Sequence, residues 1–189
     1  MSTGSPHDQS ESPVVIQHET VYQGAVWDVV RDVFHYGEGT LQRDYVNHPG
    51  ASAVVAVDES NQVVLLKQYR HPVRSRNWEI PAGLLDQPGE DPLECANREL
   101  AEEANLAASS MTHLGTFNVS PGGSNEVIHI YLARGLSEVE HDFEKTGEEE
   151  DLEVHRVPLT EAVGAVIAGQ VKNQIAAMGL LLADRHLHG

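Results

Sequence analysis

The chain has 189 residues, 40% of them apolar, and 29 Asp and Glu against 12 Lys and Arg give it a formal charge of -17. That length supports one ordinary domain with a real core rather than two, and no run approaches the ~20 consecutive apolar residues of a membrane span. The charge repels nucleic-acid backbones and anionic lipid headgroups, and a single cysteine, Cys95, excludes an internal disulfide or a multi-cysteine zinc site and fits a reducing, cytoplasmic setting.

Residues 1–12, MSTGSPHDQSES, lack the basic start and apolar stretch of a secretory signal and predict a disordered polar arm. Residues 13–49 predict a β-rich module, because β-branched and aromatic residues in AVWDVVRDVFHY and RDYV flank the turn-like GEGT. HPGA at His48 to Ala51 breaks that pattern, and residues 50–189 predict one domain of catalytic size. In it SAVVAVD and QVVLLKQY flank the polar DESN at Asp58 to Asn61, which predicts a hairpin. MTHLGTFNV and EVIHIYLARGL predict a second strand pair, and Leu159 to Ala168 and Lys172 to His186 carry helical spacing. Runs of strands interrupted by one strong helix and ended by two predict an α+β layered sandwich, with helices on the outer faces of a mixed sheet.

The central helix has the clearest signals. Asp91-Pro92-Leu93-Glu94 supplies an N-cap acceptor, a proline at the first helical position and a glutamate where a capping box needs it. At 100° per residue Leu93, Ala96, Leu100 and Ala104 fall within roughly 80° of one another and predict a packing face. Glu99, Glu102 and Glu103 share a different sector about 100° wide. Asn105 follows, a residue that tolerates the left-handed backbone with which helices often end. Like charges four apart, as at Glu99 and Glu103, cost a solvated helix a few tenths of a kcal/mol, and by spacing alone the cluster reads as a charged surface helix; its sequence context favours a cation site instead.

The stretch GLLDQPGEDPLECANRELAEEANL from Gly83 resembles the signature of the Nudix family, G-x5-E-x7-R-E-U-x-E-E-x-G-U with U aliphatic. Glu90, Arg98-Glu99-Leu100-Ala101-Glu102-Glu103 and Leu106 fall on pattern positions, while one extra residue separates Gly83 from Glu90 and Asn105 replaces the last glycine. The resemblance implies a Nudix-type α/β/α sandwich with a mixed sheet. It also implies Glu99, Glu102, Glu103 and the Ala82 carbonyl as ligands of two or more Mg2+ ions, with Mn2+ as a substitute, and a bracing pair of Arg98 and Glu90. Magnesium suits such a set, since it takes hard oxygen ligands and shares itself between carboxylates and phosphates.

Flanking motifs narrow the resemblance to the ADP-ribose pyrophosphatase branch: Gln68-Tyr69-Arg70, Trp78-Glu79-Ile80-Pro81-Ala82-Gly83, Ser120-Pro121-Gly122-Gly123-Ser124-Asn125-Glu126, and RDYVNHPGA at Arg43 to Ala51. The branch implies Mg-dependent cleavage of the diphosphate of ADP-ribose to AMP and ribose 5-phosphate, with Arg43, Arg70, Glu79, Ser124 and Glu126 on the substrate. It implies a base in the acidic run Glu148-Glu149-Glu150, with Glu148 favoured as base, Glu149 and Glu102 as further catalytic candidates, and Glu150 as an auxiliary metal ligand. By the same resemblance the module at residues 13–49 builds a homodimer. Tyr22, Trp27 and Phe34 in that module could stack an adenine or simply pack a core. A nucleoside diphosphate sugar is the expected partner, without nucleic acid or membrane. Two rival readings stand beside it: a Nudix hydrolase of another nucleoside diphosphate sugar or an oxidised nucleotide, and a non-catalytic sensor of ADP-ribose.

Overall fold

The computed structural model describes residues 4–140 and 151–189, which fall into two compact units. One holds the residues up to His48 together with Gly122–Asn125; the other holds Pro49–Pro121 and Glu126–Gly189.

The first unit is an antiparallel sheet of β1 (Val15–Tyr22), β2 (Asp28–Tyr36) and β3 (Gly39–Asn47), in that order. Tyr36 pairs with Gly39, leaving a two-residue turn whose first member, Gly37, has φ of 59°. Tight hairpin turns demand such a backbone, and glycine adopts it without a Cβ clash. Cross-strand pairs fix the register: Arg31 forks onto Asp44 at 2.7 and 2.8 Å, and His18 meets Asp32 at 2.6 Å. Trp27 stacks on His48 with ring centres 4.3 Å apart, and the Val46 N–H donates to the Gly123 carbonyl at 2.9 Å.

In the second unit a four-stranded sheet runs β7 (Ala82–Leu84), β4 (Ala51–Ala56), β9 (Val127–Glu138), β8 (Leu106–Asn118), and a three-stranded one runs β10 (Glu153–Pro158), β5 (Gln62–Arg70), β6 (Ser75–Glu79). β4 and β9 are parallel and the other neighbours antiparallel, so the larger sheet is mixed. Alternation along the central strand divides the core. Ala53, Val55 and Val57 pack with Ile128, Ile130 and Leu132 towards α2 (Leu159–Ile167) and α3 (Gln174–His188), and Val54 and Ala56 pack with Ala133 towards α1 (Pro92–Ala104). Each buried Val, Leu or Ile contributes roughly 1.5–3 kcal/mol, so the two apolar layers hold helices on both sheet faces. The architecture is α+β, as the order of elements predicts.

Two local expectations are corrected. β4 and β5 do not pair as a hairpin: they lie in different sheets, and only an isolated bridge, Val57 to Val63, joins them across Asp58 to Asn61. Leu93 does not join the packing face of α1. It is 39% exposed in the first turn, and the buried stripe begins at Cys95 and Ala96. Against the other face, α3 lays Ala176, Gly179 and Ala183, and a Cβ on Gly179 would come within 2.9 Å of both Ile80 and Val55 side chains. Among the described residues no helix is long and apolar enough to cross a membrane.

Candidate active site

α1 is nucleated where the sequence places its signals. The Asp91 carboxylate accepts from the Leu93 and Glu94 N–H groups at 2.8 and 3.2 Å, Glu94 accepts from the Asp91 N–H at 3.3 Å, and Pro92 opens the helix. Asn105 ends it in the left-handed region with φ of 54°. A capped helix of this length holds its side chains in fixed sectors, so Cys95, Glu99 and Glu103, each four residues apart, line one ridge.

β7 runs along that ridge. The Ala82 N–H donates to Glu103 Oε2 at 2.8 Å, and the Cys95 thiol donates to the carbonyls of Gly83 and Leu84 at 3.7 and 3.5 Å. Burial pushes the Cys95 pKa up to about 11, which leaves the thiol an inert packing donor. At Gly83 a side chain has no space: a Cβ would stand 1.9 Å from Glu99 Oε1. The strand therefore reaches the carboxylates backbone first.

Arg98 anchors the other side. Its Nε and Nη2 fork onto Glu90 at 2.8 and 2.9 Å, its Nη1 meets Glu99 and reaches Glu102 at 3.1 Å, and Nη2 also reaches the Leu84 carbonyl at 3.3 Å. Hydrogen bonding to Arg98 holds the Glu90 pKa below the usual glutamate value, and the same bond raises that of Arg98 further above the arginine range. Three carboxylates, Glu90, Glu99 and Glu102, meet one guanidinium, and Glu99 and Glu103 are buried. Buried carboxylates crowded on one helix ridge can take an added cation, and an all-oxygen set next to a peptide carbonyl suits a hard divalent one. Among the described residues no three acidic, histidine or cysteine side chains already converge as a metal cage. Glu102 is turned to Arg98 instead, so ligation through it requires that carboxylate to rotate.

Beside this helix lies a cavity of about 310 Å³ lined by Arg70, Asn77, Glu79, Ala82, Asn173 and Ile175, among others. Arg70 forks onto Glu79 through Nε and Nη2 at 3.0 and 2.7 Å; Glu79 is 8% exposed and Arg70 42%, so the arginine forms the outer face of the pair. A larger hollow of about 560 Å³ opens at the C-terminal end of α1, walled by Asn105, Leu106, Glu138 and Arg156, and holds none of the residues expected to bind metal or substrate.

The residues expected at the site divide as follows. Ala82 is shared, bonding Glu103 through its N–H and lining the cavity with Arg70 and Glu79. Glu126 belongs to the second unit, where its carbonyl accepts from the Val119 N–H at 3.2 Å. Arg43 and Ser124 belong to the first, Arg43 on β3 opposite Asp32 and Ser124 bridged to Val46. Glu148, Glu149 and Glu150 lie outside the described residues. Asn77 and Asn173 were not anticipated on the cavity wall. Asn173 is legible only as the α3 N-cap, accepting from the Ala176 N–H at 2.9 Å.

The site is thus a sheet sandwiched by helices, with an acid-rich helix presenting carboxylates to a peptide strand beside a cavity that Arg70 lines. Residues 46–177 match the model of the NUDIX domain, and the chain belongs to the Nudix family, as a Nudix hydrolase. It is 41% identical over 167 residues to an ADP-ribose pyrophosphatase of Mycobacterium tuberculosis, covering 88% of this chain and 80% of that one. It is 38% identical over 157 residues to an ADP-ribose pyrophosphatase of Bacillus subtilis, covering 82% and 84%. Relatives at 30% identity and below include GDP-mannose pyrophosphatases. The fold is shared with a crystal structure of an ADP compounds hydrolase, at a TM-score of 0.79 and 22% identity over 96% of this chain and 97% of that one.

Proposed function

We propose that the protein hydrolyses the diphosphate bond of ADP-ribose, releasing AMP and ribose 5-phosphate, with Mg2+ as its cofactor. The observation that carries this reading is Ala82, where the carboxylate helix and the arginine-lined cavity meet. A diphosphate bound there lies between an acidic ridge able to hold cations and an arginine able to fork onto phosphate oxygens. The Ala82 carbonyl, Glu99, Glu102 and Glu103 are the proposed ligands, with Glu150 auxiliary. Bound divalent cations neutralise the diphosphate and lower the pKa of a water molecule.

The chain's own groups do the rest. Arg70 orients a phosphate while Glu79 holds the guanidinium in place, and Glu90 holds Arg98 so that α1 and β7 keep their spacing. A glutamate of the run Glu148 to Glu150, with Glu148 preferred and Glu149 next, takes the proton of the attacking water. Water adds across one P–O bond, its hydroxyl going to phosphorus and its proton ending on the leaving phosphate or solvent. Arg43, Ser124 and Glu126 enter as substrate contacts on their motifs alone.

The test is steady-state turnover of ADP-ribose, GDP-mannose, other nucleotide sugars and nucleoside triphosphates with millimolar Mg2+. ADP-ribose is expected to lead the triphosphates by ~10- to 100-fold in kcat/KM, equivalent to about 1.4–2.7 kcal/mol. A lead for GDP-mannose would move the protein to the neighbouring nucleotide-sugar specificity, and binding without turnover would favour a sensor.

We further propose that residues 13–49 form a dimerisation module. Val14, Val15, Ile16, Tyr22 and Val26 of the first unit are exposed, and a three-stranded sheet with bare apolar side chains and open edges needs a cover. Light scattering is expected to give about twice 20.6 kDa, and a monomer at micromolar concentration would remove the idea. A nucleotide-sugar substrate and a reduced thiol fit the cytoplasm.

A further inference from the structure

Gln68 stands on β5 with only 3% of its surface exposed, yet its carboxamide makes no hydrogen bond among the described residues. A carboxamide this deep in a sheet yet without a protein partner is open to a partner from outside the fold. No fully enclosed side-chain nitrogen or oxygen in the described residues lacks a partner, so the sliver of Gln68 that remains accessible lies at the amide itself.

Strand register locates that opening. Arg70 is opposite Ser75, Gln68 opposite Asn77, and Leu66 opposite Glu79. Arg70, Gln68 and Leu66 alternate onto one face of β5 with their partners on β6, so the Arg70–Glu79 fork spans the four positions, about 13 Å, that have the Gln68–Asn77 pair at their centre. Arg70, Asn77 and Glu79 line the 310 Å³ cavity, so by register Gln68, not itself a wall residue, lies between three that are. Asn77 also makes no side-chain hydrogen bond among the described residues.

Two adjacent unpaired carboxamides select a ligand chemistry. Phosphate oxygens only accept, whereas a carboxamide offers both a donor and an acceptor, and the hydroxyl groups of a sugar satisfy both. The cavity is at the small end of ligand sites and has room for at least one sugar phosphate. Resting on the diphosphate-hydrolase reading above, we propose that Gln68 is a specificity-determining residue whose carboxamide hydrogen-bonds hydroxyl groups of the substrate's non-nucleoside sugar.

Gln68→Met keeps the volume and removes the hydrogen bonding. Its melting temperature without ligand is expected to stay within about 2 °C of wild type or rise, because no protein partner is lost. KM for ADP-ribose should increase about tenfold with kcat changed less than about threefold, and KM for the methyl ester of ADP, which keeps the diphosphate but lacks the second sugar, should not change. A several-degree loss of stability with KM unchanged, or an equal rise of both KM values, would overturn the assignment. If Gln68→Met does not fold, Gln68→Asn, whose amide is one methylene short, is expected to give the same pattern. Wild type that leaves ADP-ribose intact would defeat the proposed activity but not decide Gln68. Titration calorimetry with ribose 5-phosphate decides that separately: weaker binding by the variant supports the assignment, and equal or absent binding in both proteins overturns it.

Discussion

Glu103→Gln should retain the fold and lose more than ~100-fold in turnover, the upper end of what removal of a group merely supporting a metal ligand costs. The glutamine oxygen can still accept from the Ala82 N–H, so the link between α1 and β7 survives while the charge is removed. The change also relieves repulsion from Glu99 one turn away, a few tenths of a kcal/mol, so the melting temperature should hold or rise slightly. Turnover at saturating Mg2+ and melting with and without Mg2+ check both halves. The wild type should gain stability from Mg2+ by mass action on the folded state, and the variant should gain much less. Near-wild-type turnover would take Glu103 out of the proposed metal site.

The second large effect is on stability. Arg98→Met deletes the partner of Glu90 and leaves three carboxylates facing one another without their guanidinium. Removing one member of a partly buried ion network costs about 3 kcal/mol, which in a chain of this size lowers the melting temperature by roughly 6–12 °C. The pH dependence has a definite sign. Glu90 has a depressed pKa in the folded protein, so its pairing stabilises above the ordinary glutamate value and is lost as pH falls through the folded value. The gap between wild type and variant should therefore be widest near neutrality and narrow in acid below about pH 4.5, measured by melting in chelator so that no metal contributes. A gap that does not change between pH 7 and pH 3.5 would show that charge pairing is not what Arg98 provides.

What the sequence made legible was local. The bounds of α1 are written in Asp91, Pro92, Glu94 and Asn105, whose effects act within one turn, and the acidic sector follows from helical geometry once those bounds are set. Strand pairing is not local. β4 and β5 are both continuous apolar runs, so neither carries an alternation that names its partner, and the polar turn between them invites a hairpin that the two-sheet core rejects. Arg70 and Glu79 could be picked out because the motifs they stand in resemble those of the ADP-ribose pyrophosphatase branch. Asn77 and Asn173 are neutral and common in type, and only the fold brings them to one cavity, with Gln68 set opposite Asn77 by strand register. The acidic run Glu148 to Glu150 lies outside the described residues, so its part rests on motif alone.

The seam of Ala176, Gly179 and Ala183 on α3 bears on how this chain can evolve. Because Gly179 has no room for a methyl group against Ile80 and Val55, the helix lies as near the sheet as backbone allows. Its first turn carries Asn173 to the cavity wall, and Ile80 borders the same cavity, so one packing distance sets the width of the opening. Substitutions along the seam would widen the opening whatever they did to the wall residues. New specificities can then arise by exchanging side chains on the rim, one at a time, while the seam stays small, a division that lets substrate choice drift without re-solving the core.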